Sequence, residues 1–172
     1  MTSRWADFQA AEPDYAATAQ QRFEKHTHHV LATLRKDGSP RVSGLEVKFG
    51  HGELWLGMMP NSRKAQDLRR DPRFAVQANP GSGTSMDGGD VRVSGRAVEV
   101  TDPQAKAAFT QEAGEPQPFH LFRAELAEVV RTRVDGDELV VQIWRPGRRL
   151  RTLRRGNDDS PPRSDDRAAG DG

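Results

Sequence analysis

Cysteine is absent from the 172 residues. That removes disulfides, thiol catalysis and cysteine metal sites at once. No apolar run approaches the ~20 residues that span a bilayer, and no apolar signal segment opens the sequence. A cytoplasmic protein without a membrane partner is the expectation. Neither sign of charge dominates, since 26 Lys and Arg face 25 Asp and Glu for a net charge of +1. This balance argues against bulk nucleic-acid binding. Aromatics make up only 6%, with a single tyrosine. What remains is polar for a globular protein, at 34% hydrophobic and 30% charged. The length still suffices for one domain around one core.

Three parts are expected. Residues 1–25 form an N-terminal helical segment, with Trp5 and Phe8 on one side and Ala16, Ala19 and Phe23 continuing an apolar face beyond Pro13. Residues 26–155 form the main domain. Residues 156–172 carry no apolar periodicity and are expected to be a disordered tail.

Within the domain, short alternating or apolar runs are bounded by turn signals. Residues 29–34 read as a buried strand, and Asp37-Gly38 then predicts a hairpin. Residues 41–49 alternate as one strand. Residues 53–58 place Leu54, Leu56 and Met58 on one face and Trp55 on the other. Further strands are expected at 73–78, 90–100, 119–134, 139–144 and 148–153, the 119–134 strand being long enough to carry a bulge. Helices are expected at 62–71 and at 102–112, where Asp102 is a candidate cap. About seven or eight antiparallel strands of ordinary length make a mainly β (α+β) fold, a closed or nearly closed barrel.

The stretch from Gly57 to Pro72 concentrates the chemistry. Pro60 and Asn61 turn the chain after a strand, and a helix starts at Ser62 and must stop before Pro72. The first turn of a helix carries unpaired N–H groups and the positive end of the dipole. Ser62 adds a hydroxyl, and Arg63 and Lys64 add two cations, which together suit a phosphate. The same residues also suit a capped surface helix with Arg63–Asp67 and Lys64–Asp67 ion pairs.

Three motifs in order resemble the pyridoxamine 5′-phosphate oxidase-like split-barrel family. His29-Val30-Leu31-Ala32-Thr33-Leu34-Arg35-x-Asp37-Gly38-x-Pro40 is similar to its opening hairpin. Ser62-Arg63-Lys64 followed by Asp67-Leu68-Arg69-Arg70-Asp71-Pro72-Arg73 is similar to its phosphate-binding turn and helix. Val91-x-Val93-x-Gly95-x-Ala97-x-Glu99 is similar to its next core strand. The match runs over about residues 26–101 and more loosely to 153. The resemblance implies a split barrel and a cofactor, FMN or coenzyme F-420, that carries hydride transfer to a small-molecule substrate. It also implies a homodimer with the cofactor between subunits. The loop 79–89 and the C-terminal segment would then complete each site from the other chain. Relatives also include haem binders, so a flavin- or haem-binding carrier or sensor without turnover is the alternative.

Carried over by position, Ser62, Arg63 and Lys64 would grip the cofactor phosphate, and Lys48 would supply a second basic group. Ser43, Gly44, Leu45 and Glu46 would border the ring, with Gly44 allowing close approach. Met58 and Met59 would form its apolar bed. Asp90 stands where the oxidases have a flavin-contacting glutamine, and their Tyr-Phe-x-x-Arg substrate motif is missing. Pyridoxamine phosphate is therefore not the expected substrate. Residues 144–150, Trp-Arg-Pro-Gly-Arg-Arg-Leu, loosely resemble the oxidases' C-terminal flavin segment and better suit a core tryptophan before a turn. His26 and His28 could share a strand face, but no carboxylate completes a metal set. His120 is expected to be packed, and no catalytic acid or base is named.

Overall fold

The structure, a computed structural model, describes residues 1–113 and 118–165. Two helices, α1 (Trp5–Ala11) and α2 (Pro13–Glu24), precede the strands. Then follow β1 (His29–Leu34), β2 (Pro40–Leu45), β3 (Val47–Gly50) and β4 (Glu53–Met58). Helix α3 (Arg63–Arg70) leads to β5 (Arg73–Gln77) and β6 (Asp90–Glu99). Helix α4 (Pro103–Ala113) leads to β7 (His120–Asp135), β8 (Glu138–Trp144), β9 (Arg151–Arg155) and β10 (Arg163–Ser164).

All strand pairs are antiparallel, in the order β10-β9-β8-β7-β6-β5-β1-β2, with β3 on β4 and β4 on β7. Strand β7 is the branch point. Its first residues pair with β4, its middle with β6 and its end with β8. The sheet curls through β4, β7, β6, β5, β1 and β2 without β2 pairing to β3, which is the opening of a split barrel. The curl is sharpened by a register shift between Ser94 and Gly95. A Cβ at Gly95 would lie 1.9 Å from the Glu125 carbonyl oxygen, so only glycine fits this bulge.

The single strand expected over 41–49 is instead two strands, broken at Glu46. The change is one of partner: β2 pairs with β1, whereas β3 pairs with β4. The described residues therefore carry ten strands rather than seven or eight. The second source of the difference is β10, which pairs with β9 through Arg163 and Ser164. Arg154 binds Asp165 at 2.7 Å, and Arg163 pairs with Glu138. These partly exposed ion pairs hold part of the expected tail against the sheet. Residues 166–172 of that expectation lie outside the described residues.

The N-terminal helices join the barrel core. Phe8 packs on Trp144 with ring centroids 4.5 Å apart, and Trp5 lies 4.7 Å from Phe49. Phe23 is buried against His29. Tyr15 is buried and donates its hydroxyl to the Gln142 carbonyl at 3.1 Å. Asp102 caps α4 as expected, its carboxylate accepting from the Ala105 N–H at 2.8 Å.

Candidate functional site

The split between β2 and β3 opens a cavity of about 500 Å³, within the range of small-molecule sites. One wall is the end of β2 and the break, Gly44, Leu45 and Glu46. The second is the end of β4, from Gly57 through Met58 and Met59 to Pro60. Lys64 of α3 closes one side, His28 stands before β1, and Pro118 and Phe119 stand before β7. The lining is mainly apolar, with charge confined to Lys64, Glu46 and His28.

Six of the residues singled out in the sequence line this cavity: Gly44, Leu45, Glu46, Met58, Met59 and Lys64. Met58 is buried, whereas Met59 is 78% exposed at the rim. A Cβ at Gly44 would meet nothing within 4 Å, so a larger residue there would intrude on the cavity alone. Lys64 donates to the Gly44 carbonyl, and burial pushes its pKa below the usual lysine value. Among the described residues no carboxylate pairs with it. A partly desolvated ammonium whose only partner is a neutral oxygen has donors left for an anion.

Ser62 caps α3 by position, but its hydroxyl makes no capping hydrogen bond. The hydroxyl oxygens of Ser62 and of Ser43 are both buried with no hydrogen-bond partner. Buried polar atoms are normally paired, but neither serine lines the cavity, and Ser43 faces the opposite side of β2 from Gly44. The Lys64 ammonium and the first turn of α3, where Ser62 stands at the cap position, form a donor set suited to a phosphate.

Arg63 is placed differently. It faces a second depression, of about 720 Å³, bordered by Arg35, Lys36, Arg41 and Arg70. Consecutive helix residues diverge by about 100°, so Arg63 and Lys64 point into separate spaces. Lys48 is exposed on β3 opposite Trp55 and does not line the cavity. The Arg63–Asp67 and Lys64–Asp67 pairs are not formed. Asp67 is buried and accepts instead from Arg41 at 2.6 Å, Arg70 at 3.0 Å and Thr33 at 2.9 Å. Burial alone would raise its pKa, but these hydrogen bonds outweigh it and hold the carboxyl below the usual range.

Asp90 has a structural partner: its carboxylate accepts from the Gly81 N–H at 2.9 Å and closes the loop 79–89. Asp87 of that loop pairs with Arg22 at 3.2 Å and with Lys25, tying it to α2. Trp144 is buried in the core, and Arg145 forms an ion pair with Glu128. The reading of Trp144 as a core residue thus matches its surroundings. His28 and Phe119 were not singled out as cavity residues. His28 drew notice only as a metal candidate, and its Nε2 lies 3.4 Å from Glu46. Among the described residues no three His, Asp or Glu side chains are gathered for a metal ion, and no helix is long and apolar enough to cross a membrane.

A protein-family model described as pyridoxamine 5′-phosphate oxidase matches residues 16–133, more than half of the chain. The chain belongs to this family. Solved structures agree on the fold. A pyridoxamine 5′-phosphate oxidase-related, FMN-binding protein from Nostoc punctiforme superposes with a TM-score of 0.59 at 14% identity, over 83% of this chain and 96% of that one. PhzG from Burkholderia lata, solved with tetrahydrophenazine-1-carboxylic acid, gives 0.56 at 18% identity, over 88% and 95%. HutZ, a haem storage protein of Vibrio cholerae, gives 0.51 at 18%, over 67% and 89%. No curated protein matches the chain. This family member therefore shares its split barrel with proteins of different chemistry.

Proposed function

We propose that the protein is an oxidoreductase that binds FMN or coenzyme F-420 and acts by hydride transfer on a small molecule. The carrying observation is the cavity at the barrel split, where an apolar bed adjoins a phosphate-suited donor set. Lys64 and the first turn of α3, with Ser62 at its cap, would hold the phosphate. Leu45, Met58 and Phe119 offer an apolar surface to a flat ring, and Gly44 leaves room beside it. When bound, the cofactor supplies the hydride chemistry. The protein's own residues bind, orient and exclude water. Arg63 and Lys48 stand outside the cavity, so a cofactor contact by either would come through a tail that leaves it.

The working unit in this reading is a homodimer. Val42 and Val30 are exposed on the adjoining strands β2 and β1, at 68% and 39%. Val30 is the cross-strand partner of the cavity residue Gly44. This apolar surface supports a second copy docking beside the cavity. Sedimentation of the cofactor-loaded protein at micromolar concentration should show a dimer, and a monomer alone would refute this part.

The test of the whole reading is mass spectrometry of cofactor released from native protein, followed by titration of FMN and F-420. Flavin or deazaflavin absorption that bleaches with a reductant supports the oxidoreductase. A Soret band without flavin binding would replace it with a haem carrier. That alternative is favoured only by His28 at the cavity mouth.

A further inference from the structure

The turn that starts α3 and delivers Lys64 to the cavity has an unfavourable backbone. Asn61 adopts φ of +57°, the left-handed region that non-glycine residues seldom occupy. Three contacts hold it. The Ser62 N–H donates to the Met59 carbonyl at 3.3 Å. Gln66 Nε2 donates to the Asn61 carbonyl at 3.2 Å. The Asn61 N–H donates to His120 Nε2 at 3.2 Å.

The third contact comes from outside the turn. His120 opens β7, opposite Met58 of β4. An imidazole that accepts at Nε2 carries its proton on Nδ1, and Nδ1 lies 3.2 Å from Glu99 Oε1 on β6. Glu99 is itself gripped by Arg69, through Nε at 2.7 Å and Nη2 at 2.6 Å. Arg69 belongs to α3, the helix that the turn starts. The chain of contacts thus closes on itself, from α3 through β6 and β7 to the turn and back. The side chains of His120 and Glu99 are 16% and 22% exposed.

We propose that His120 is a positioning residue for the anion-binding turn. Its neutral, Nδ1-protonated form holds the Asn61 N–H and so fixes where α3 starts and where Lys64 presents its ammonium. The ligand's identity rests on the phosphate-bearing cofactor read above. His120 itself does not line the cavity.

Protonation would place an N–H at Nε2 against the Asn61 N–H, and two donors would abut. Three charged groups act on this imidazole. Glu99 of β6 favours its charged form. Arg69 of α3, with Nη2 3.3 Å from Nδ1, opposes it. Lys106 of α4 donates to the neighbouring Phe119 carbonyl at 2.7 Å. A protonated His120 would also bring positive charge towards a bound phosphate. That attraction would tighten binding in acid, whereas loss of the turn's acceptor would weaken it. The sign of the pH effect separates the two.

The experiment titrates FMN and F-420 into wild type, His120→Gln and His120→Asn between about pH 5 and 8, where histidine changes charge. Glutamine carries an acceptor near the Nε2 position, and asparagine stops one bond short. At the alkaline end, His120→Gln should bind within about twofold of wild type. His120→Asn should bind about 2- to 12-fold more weakly, the cost of one neutral hydrogen bond. Wild type should lose affinity towards acid by more than His120→Gln, since ligand ionisation and Lys64 are common to both. Equal binding by His120→Asn, or tightening of the wild type in acid, would overturn the proposal. If neither cofactor binds wild type, the cofactor reading fails, and the ligand-free protein decides the positioning role by ¹⁵N NMR. An Nδ1-protonated His120 with an Asn61 amide shift following its titration sustains the role. The opposite tautomer, or an indifferent Asn61 amide, refutes it.

Discussion

Replacing Lys64 with methionine removes one ammonium and keeps most of the stem. In the ligand-free protein the ammonium gains little, having the Gly44 carbonyl and no carboxylate among the described residues. Burial lowers its pKa, so the charged form is disfavoured relative to the unfolded chain. The variant should therefore melt at the wild-type temperature or slightly above it. The sign with pH follows from linkage. The unfolded chain holds this proton to higher pH than the folded one, so wild-type stability rises as pH climbs from the folded to the unfolded lysine value. Lys64→Met should lack that rise. With a phosphate bound the balance reverses. One charge-assisted contact is worth roughly 1.5–3 kcal/mol, which predicts a ~10- to 150-fold loss of affinity. Added salt should weaken wild type more than the variant. Parallel titrations with FMN and F-420, beside melting curves, provide the measurement. Equal affinities for whichever cofactor binds would refute the phosphate-site reasoning, whatever the melts show.

Three further outcomes are expected. Asp67→Asn leaves Arg41 and Arg70 without their buried counter-charge and should cost roughly 3 kcal/mol at neutral pH in urea unfolding. Because the folded carboxyl pKa is lowered, this contribution is present above the unfolded carboxylate value and is lost as pH falls through the folded one; the gap between the two proteins should close in acid. Gly95→Ala drives a Cβ into the Glu125 carbonyl and should destabilise by about 3 kcal/mol, and a wild-type melt would show that the bulge yields. Deleting residues 156–172 removes, among the described residues, the short β10 pairing on β9 and the partly exposed ion pairs of Arg154 and Arg163, so melting temperature and cofactor affinity should barely move; a large drop would show that β10 holds the sheet edge.

The hairpins were legible because their turns carry Asp-Gly at the required positions, with Gly38 and Gly136 both at positive φ. The break at Glu46 was not legible. Ser43, Leu45, Val47 and Phe49 face inward on both sides of it, while Val42, Gly44, Glu46 and Lys48 face outward. Periodicity reports the face and not the partner, so a strand that leaves β1 for β4 without changing phase looks continuous. The Ser62-Arg63-Lys64 triplet was legible in the sequence, but the divergence of its side chains was not. Ser62-Arg63-Lys64 are adjacent in sequence, but only Lys64 reaches the cavity. Asp67 has helix spacing to both cations, yet its burial brought it the partners Arg41 and Thr33 from other elements. His28 and Phe119 lie far apart in the chain, and only the curl of the sheet brings them together.

Helix α3 begins at the open end of the barrel and is fastened elsewhere. Asp67 ties the helix to β1 through Thr33 and to β2 through Arg41. Arg69 ties it to β6 through Glu99. Asp71 N–H closes its C-terminus on the Asp67 carbonyl. The middle and end of α3 are thus fastened to strands on both sides of the sheet. Its start is not satisfied in the same way, since the Ser62 hydroxyl has no partner and Lys64 has only a carbonyl. A helix free to move could turn these donors to water. A helix held at its other end cannot, so Lys64 stays aimed at the split where β2 and β3 part. A phosphate placed there meets donors already oriented, and little ordering entropy opposes its binding. Loosening either tie should therefore weaken anion binding even though neither Asp67 nor Arg69 lines the cavity.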